Sequence, residues 1–287
     1  MTCRSILKRL GLKLPLLREF IREHEQLRAA HAQALVELQT VSAELDQLQA
    51  TLLRLSEGSA HPGYCHCCHQ RTFFLLEGEW LRDQYLCAHC RSIPRQRHLH
   101  YVLDTHFPGW EKQIIHESSP TIDFIARWCE RYSSSQYFEG VASGEAVNGV
   151  RCENLERLSF ADDSIDIFIT QDVLEHVFHP ELAAREICRA LKPGGAHVFT
   201  VPRQPWLPAS EARARLSATG IEYLKDADYH GNPVGDGRAL VTWDYGADFE
   251  RLIERWSGMT TTVYADVNRA LGIDGELREV FVSRKPQ

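Results

Sequence analysis

The chain has 287 residues, 44% of them apolar, enough to bury one large core with smaller appendages. A formal net charge of −7 disfavours a general nucleic-acid binder, which needs an excess of lysine and arginine to neutralise phosphates. No run approaches the roughly 18 uninterrupted apolar residues of a membrane helix, and the opening MTCRSILKRLGLKLPLL lacks a clean apolar stretch or cleavage site, so the expectation is a soluble, cytoplasmic protein without membrane insertion.

In chain order, the first predicted element is a helix. Leu27, His31, Ala34, Leu38, Val41, Leu45, Leu48, Leu52 and Leu55 follow steps of four and three, the period of a coiled-coil seam. So narrow a stripe needs a partner in water. Residues 1–58 are therefore expected to pair as a parallel homodimer, the alternative being a helix packed on its own globular domain. Ser56 to Gly63 brings serine, glycine and proline and reads as a linker.

Residues 62–95 form the next unit. Cys65 and Cys68 make one CxxC and Cys87 and Cys90 another, with 18 residues between, a spacing that suits a structural zinc ion held by four thiolates. Cys67, His66, His69 and His89 are alternative ligands. The intervening residues predict a hairpin about Glu77, Gly78 and Glu79 that brings the two knuckles together. The other cysteines are scattered, which fits a reducing compartment. Behind the ribbon, RSIPRQRHLHYVLDTHF turns helical and is read as a basic, solvated face, the alternative being contact with an anionic ligand.

Residues 96–287 are the functional unit. Ile165 to Thr170 (IDIFIT) predicts a buried strand, Pro180 to Leu191 an amphipathic helix, and Ala196 to Val201 (AHVFTV) a second strand after the turn LKPGG. Strand, helix, turn and strand make a βαβ unit of an α/β fold. The whole stretch LERLSFADDSIDIFITQDVLEHVFHPELAAREICRALKPGGAHVFTVP resembles class I S-adenosylmethionine-dependent methyltransferases of the type 11 kind, with their LEHV and LKPGG landmarks. The resemblance implies a Rossmann-like sheet of seven strands with the cofactor at the strands' carboxyl ends. It implies that Gln171 to His176, including Gln171 and Asp172, line the cofactor and substrate mouth.

Where such enzymes carry a glycine-rich turn after the first strand, this chain reads QIIHESSP, without glycine. It is similar there to a branch associated with surface-glycan modification. On that resemblance Glu117, Ser118 and Ser119 would cradle the methionine end and Pro120 would start the next helix. Among Gln136, Tyr137 and Glu139 lies the candidate for the ribose contact, Glu139 being the acidic one. Glu153, Asn154 and Leu155 fall where the family contacts adenine. Methyl transfer needs alignment, dehydration and, for some acceptors, a base. His176 and His230 are the candidate bases, His176 alternatively a structural hydrogen-bonder. The segment around Tyr229, His230, Asn232 and Asp244 is a candidate cover carrying acceptor recognition, the alternative being an ordinary surface loop. The sequence thus suggests a methyltransferase for a small molecule or glycan acceptor. Its rival is a cofactor-deficient scaffold of the same fold, favoured by the glycine-free turn. A nicotinamide dehydrogenase is disfavoured because no GxGxxG occurs.

Overall fold

A computed structural model of the chain describes residues 14–120, 122–231 and 237–287. Two units result, Met1–Gly58 and Ser59–Gln287. The first contains one helix, α1 (Leu14–Ser56), free of internal glycine and rich in Leu, Glu, Gln and Ala. Its seam residues Leu27, Leu38, Val41, Leu45, Leu48 and Leu52 are all exposed.

The second unit begins with a three-stranded antiparallel ribbon of β1 (Ala60–Cys65), β2 (Gln70–Leu76) and β3 (Tyr85–Cys87). The connection between β2 and β3 is more than the expected turn, because it contains a helical turn, α2 (Leu81–Gln84). Helix α3 (Pro94–His106) follows, with Pro94 in its first turn, where a missing N–H costs nothing. Its basic face is not solvated, which corrects the reading from sequence: Arg97 and His98 are 0% exposed and His100 2%. The Arg97 guanidinium donates to the carbonyls of Ser92, Tyr85 and Gly272 and lies 4.7 Å over the Phe74 ring. A charge can be buried there because carbonyl oxygens and an aromatic face satisfy it. Gly272 must be glycine, since a Cβ would stand 2.6 Å from both Arg97 and Phe74 and its φ is +64°.

The body is a mixed sheet of six strands. Its members are β4 (Ile114–Ser118), β5 (Arg131–Ser135), β8 (Ile165–Gln171), β9 (Leu191–Thr200), β16 (Thr260–Tyr264) and β17 (Val280–Arg284). The order is β16-β17-β9-β8-β4-β5, with β5, β4, β8 and β9 parallel and β17 and β16 antiparallel to their neighbours. Among the described residues the expected seventh strand is missing. Beyond β5 the sheet continues only as one parallel bridge, Gln136 with Cys152, next to a short hairpin of β6 (Ala146–Val147) and β7 (Val150–Arg151).

Strand β8 is buried on both faces. Ile167 and Ile169 join Leu99, Val102 and Leu103 of α3 on one side. Phe168 joins Ile187 of α4 (Pro180–Ala190) and Phe249 and Ile253 of α5 (Phe249–Ser257) on the other. A strand covered on both faces reads as a continuous apolar run, which is why IDIFIT was legible.

Two local expectations are revised. No helix starts at Pro120; the described residues between β4 and β5 form turns. The LKPGG stretch lies inside β9 as an irregularity, with Ile165 opposite Leu191 but Ile167 opposite Ala196. A Cβ on Gly195 would sit 2.9 Å from the Asp166 and Lys192 carbonyl oxygens, so the local backbone crossing requires glycine.

Residues 202–248 add three small antiparallel pairs. These are β10 (Glu211–Ala212) with β15 (Trp243–Asp244), β11 (Ala214–Ser217) with β12 (Gly220–Tyr223), and β13 (Tyr229–Gly231) with β14 (Arg238–Leu240).

Candidate functional site

Strand β4 pairs with β5 on one side and β8 on the other, so the carboxyl ends of β4 and β8 form the switch point of the sheet, the place where ligands of such sheets bind. Each strand ends in a residue forced into the left-handed region, Ser119 at φ 55° and Asp172 at φ 52°. Non-glycine residues hold such backbone only where the surroundings impose it, and they gather at functional sites.

Glu117, near the end of β4, is fully buried. Gln171 Nε2 donates to its Oε1 at 2.7 Å and the Tyr132 hydroxyl to its Oε2 at 2.9 Å. Burial raises its pKa to about 7 against the pull of those two hydrogen bonds, so the carboxylate is poised to change charge near neutrality. Ser118 is buried beside it, and the Ser119 amide is tied to the Ser135 carbonyl at 2.8 Å. The structure thus brings together Glu117, Ser118, Ser119, Gln171 and Asp172. Glu139 stands apart, exposed in a turn beyond β5.

Glu153 is buried and saturated: Arg151 Nε, the Ser159 amide and the Ser159 hydroxyl all donate to its carboxylate. Asn154 Oδ1 accepts from the Glu156 amide, and Leu155 packs in the core beside Phe168. These three therefore shape the wall behind the switch point through internal contacts.

Asp172 is the hub of an ion-pair cluster. Its Oδ2 lies 2.5 Å from Arg82 Nη2 and 2.8 Å from Arg95 Nε, and Thr200 Oγ1 donates to its other oxygen at 2.9 Å. Burial pushes the carboxyl up, but Arg95 and Arg82 outweigh it and hold the pKa below the usual value. Arg82 belongs to α2, so the ribbon itself supplies one wall of the site. Arg82 carries no local sequence signal, whereas Arg95 belongs to the basic cluster after the ribbon, whose reading as a solvated face its pairing with Asp172 corrects.

The adjoining LEHV stretch forms a 3-10 turn, Leu174–His176. The 202–248 insertion clamps it: the Thr242 amide donates to the Glu175 carbonyl at 2.7 Å, and the Tyr245 hydroxyl to the Leu174 carbonyl at 2.8 Å. His176 Nδ1 donates to the Leu240 carbonyl at 2.8 Å. Burial lowers its pKa, so at pH 7 the ring is neutral with a free lone pair on Nε2. His230, on β13, packs edge-on against His176 with ring centroids 5.1 Å apart. Between them lies Glu175, 0% exposed, a residue the sequence reading passed over although it sits beside His176 in the motif. Burial, with Asp172 nearby, raises its pKa well above the ordinary value. Tyr229 is exposed, Asp244 is engaged by Arg213 and Lys225, and Asn232 lies outside the described residues.

In the ribbon, the Sγ atoms of Cys65, Cys68, Cys87 and Cys90 lie within 4.8 Å of one another, with Cys65 and Cys90 3.7 Å apart. Tetrahedral thiolates about 2.3 Å from a zinc ion require sulfur separations of this size. The Cys90 amide points at Cys87 Sγ, as in a metal-binding knuckle. His66 and His69 face Asp104 instead, at 2.6 and 3.4 Å.

Four neighbouring strands of the mixed sheet run parallel, with the switch point between β4 and β8. Residues 125–199 match the methyltransferase domain family, a span covering β5, β8, α4 and most of β9. The matched residues lie on the mixed six-stranded sheet, and the glycine-free turn precedes them. Similar solved structures include an S-adenosylmethionine-dependent methyltransferase from Mesorhizobium loti, 16% identical, covering 64% of this chain and 96% of its own, with a TM-score of 0.43. Another is the 1,6-didemethyltoxoflavin-N1-methyltransferase of Burkholderia thailandensis, 13% identical, covering 68% and 77% respectively, with a TM-score of 0.39. No curated protein sequence matches. No described helix is long and apolar enough to cross a membrane.

Proposed function

We propose that this protein is an S-adenosylmethionine-dependent methyltransferase acting on a small molecule or glycan acceptor. The observation that carries the reading is the buried Glu117 carboxylate beside the left-handed Ser119, at the switch point of a sheet whose following strands match the methyltransferase domain. The donor set fits a cationic amino-acid ligand. Glu117 offers negative charge, and the small Ser118 and Ser119 leave room for close backbone approach. When bound, S-adenosylmethionine would supply an electrophilic methyl group on a positively charged sulfonium. Glu117, Ser118 and Ser119 would hold its methionine end, and Gln171 with Asp172 would line the mouth where the acceptor enters. The insertion over Leu174–His176 would exclude water, and His176 Nε2, neutral at pH 7, can accept a proton from an acceptor.

Calorimetric titration with S-adenosylmethionine and S-adenosylhomocysteine tests the reading. Micromolar binding is expected, weakened at least about tenfold by Glu117→Ala. Glu117 in the free protein carries its charge above pH 7 and loses it below. Affinity for the cationic cofactor should therefore fall as pH drops from 8 to 6, by up to about tenfold per unit. Glu117→Gln should flatten that profile. Failure of either ligand to bind would favour the scaffold reading, to which the glycine-free turn points.

Two further parts of the proposal concern the appendages. The four thiolates are a structural zinc site, closed to water because all four positions are filled by protein. The exposed apolar seam of α1 joins two copies of the chain as a coiled coil in the cytoplasm. Deleting residues 1–58 should halve the mass seen by light scattering and leave the far-ultraviolet dichroism of the body intact; an unchanged mass would refute the dimer.

A further inference from the structure

Glu175 presents a problem that the methyl-transfer reading leaves open. Its side chain is 0% exposed and neither carboxylate oxygen has a hydrogen-bond partner. Burial therefore holds this carboxyl in its neutral form, and only a ligand that favours the carboxylate would draw its proton off. Arg82 and Arg95 close on Asp172, and their pull on Glu175 does not outweigh its burial.

What faces Glu175 is a pair of imidazoles. Its Oε1 lies 3.9 Å from His176 Nε2 and 3.7 Å from His230 Nδ1, and the three ligand atoms all fall within 4.8 Å of one another. Ligands about 2.1 Å from one ion stand roughly 3 to 4 Å apart, so a small rotation of the His230 side chain, which is partly exposed on its hairpin, completes the set. His176 is already oriented for the task. Its Nδ1–H is held by the Leu240 carbonyl, which fixes the tautomer and leaves Nε2 as a lone pair, the arrangement that outer partners impose on metal-binding histidines.

We propose that Glu175, His176 and His230 form a second metal site, a two-histidine, one-carboxylate face for a divalent transition ion such as Mn2+, Fe2+, Co2+ or Zn2+. Imidazole and carboxylate together suit these ions, and three protein ligands leave coordination positions open, unlike the closed thiolate set of the ribbon. The site adjoins Asp172, at the carboxyl end of β8. Resting on the methyltransferase reading, the inference assigns the acceptor's chemical class: a hydroxyl whose oxygen binds the ion. A bound ion would occupy the His176 Nε2 lone pair and replace that residue as the activating group: it would lower the hydroxyl's pKa, the proton leaving to bulk solvent as the acceptor binds and before water is excluded. The oxygen then forms the bond to the methyl carbon as the carbon–sulfur bond breaks, its electron pair staying on sulfur.

The test uses the full chain with its thiolate site loaded with zinc, titrated with Mn2+ while free ion is followed by electron paramagnetic resonance. One Mn2+ per chain is expected, with affinity reduced more than about tenfold in both Glu175→Gln and His230→Ala. His230 stands on a half-exposed hairpin, so its variant stays folded even where a change at buried Glu175 disturbs the turn. Absence of Mn2+ binding, or equal binding in wild type and both variants, overturns the site. S-adenosylhomocysteine titrated into the same samples separates the two readings: Mn2+ bound without it upholds the ion site and sinks the methyltransferase, and the converse does the opposite.

Discussion

Replacing Cys87 with serine is expected to release the zinc ion proposed for the ribbon, melt residues 60–90 and weaken cofactor binding as well. A serine hydroxyl stays protonated at neutral pH and is a poor zinc ligand, so the ion would be left with three thiolates. The ribbon has little else to hold it: its apolar cluster comprises the cysteines with Phe74, Tyr85 and Phe124. In units of this size metal affinity is folding free energy, and a loss of several kcal/mol follows. The ribbon is tied to the candidate site, because its α2 delivers Arg82 to Asp172 at 2.5 Å. Cofactor affinity in Cys87→Ser should therefore drop severalfold together with zinc content. Stoichiometric zinc retained by metal analysis would refute the four-thiolate assignment, and unchanged affinity after zinc loss would show that ribbon and candidate site are uncoupled.

The second large effect is expected from Arg97→Met. Methionine retains much of the apolar stem but removes the guanidinium donor from the Tyr85 and Gly272 carbonyls, while the Ser92 carbonyl keeps the Cys87 amide at 3.0 Å. Leaving buried acceptors unsatisfied costs about 1–3 kcal/mol each before relaxation, so a total loss of about 3 kcal/mol is a conservative expectation. These carbonyls belong to the ribbon and to the cap of the 3-10 turn Arg269–Leu271, so the damage should fall on the seam between ribbon and sheet. Urea unfolding read by tryptophan fluorescence would measure it. A change below about 0.5 kcal/mol would mean that the guanidinium is replaceable by packing alone.

Where the sequence was legible, near neighbours encode the structure. Strand β8 and helix α4 came from apolar runs and periodicity, and the CxxC pairs from spacing that two short knuckles dictate. Glu117, Ser118, Ser119, Gln171 and Asp172 meet because parallel neighbours β4 and β8 end side by side, whereas in the sequence it was the family resemblance, not a local pattern, that grouped them. The missing seventh strand shows the limit of that reasoning: Cys152 pairs with Gln136 through one bridge, and whether an edge extends further depends on packing that no local pattern records.

The partners of those residues were decided only by tertiary structure. Arg82 reaches Asp172 across 90 residues, Arg97 reaches Gly272 across 175, and His230 swings back to Glu175 on a hairpin from the far side of β9. A basic cluster in a sequence looks the same whether water or carbonyl oxygens will surround it, because desolvation and hydrogen-bond geometry exist only once the chain has closed. The sequence by itself determined the α/β unit, the thiolate quartet and the strand ends that form the switch point. The fold decided which charges are buried, which are paired, and that one carboxylate, Glu175, is left facing two histidines.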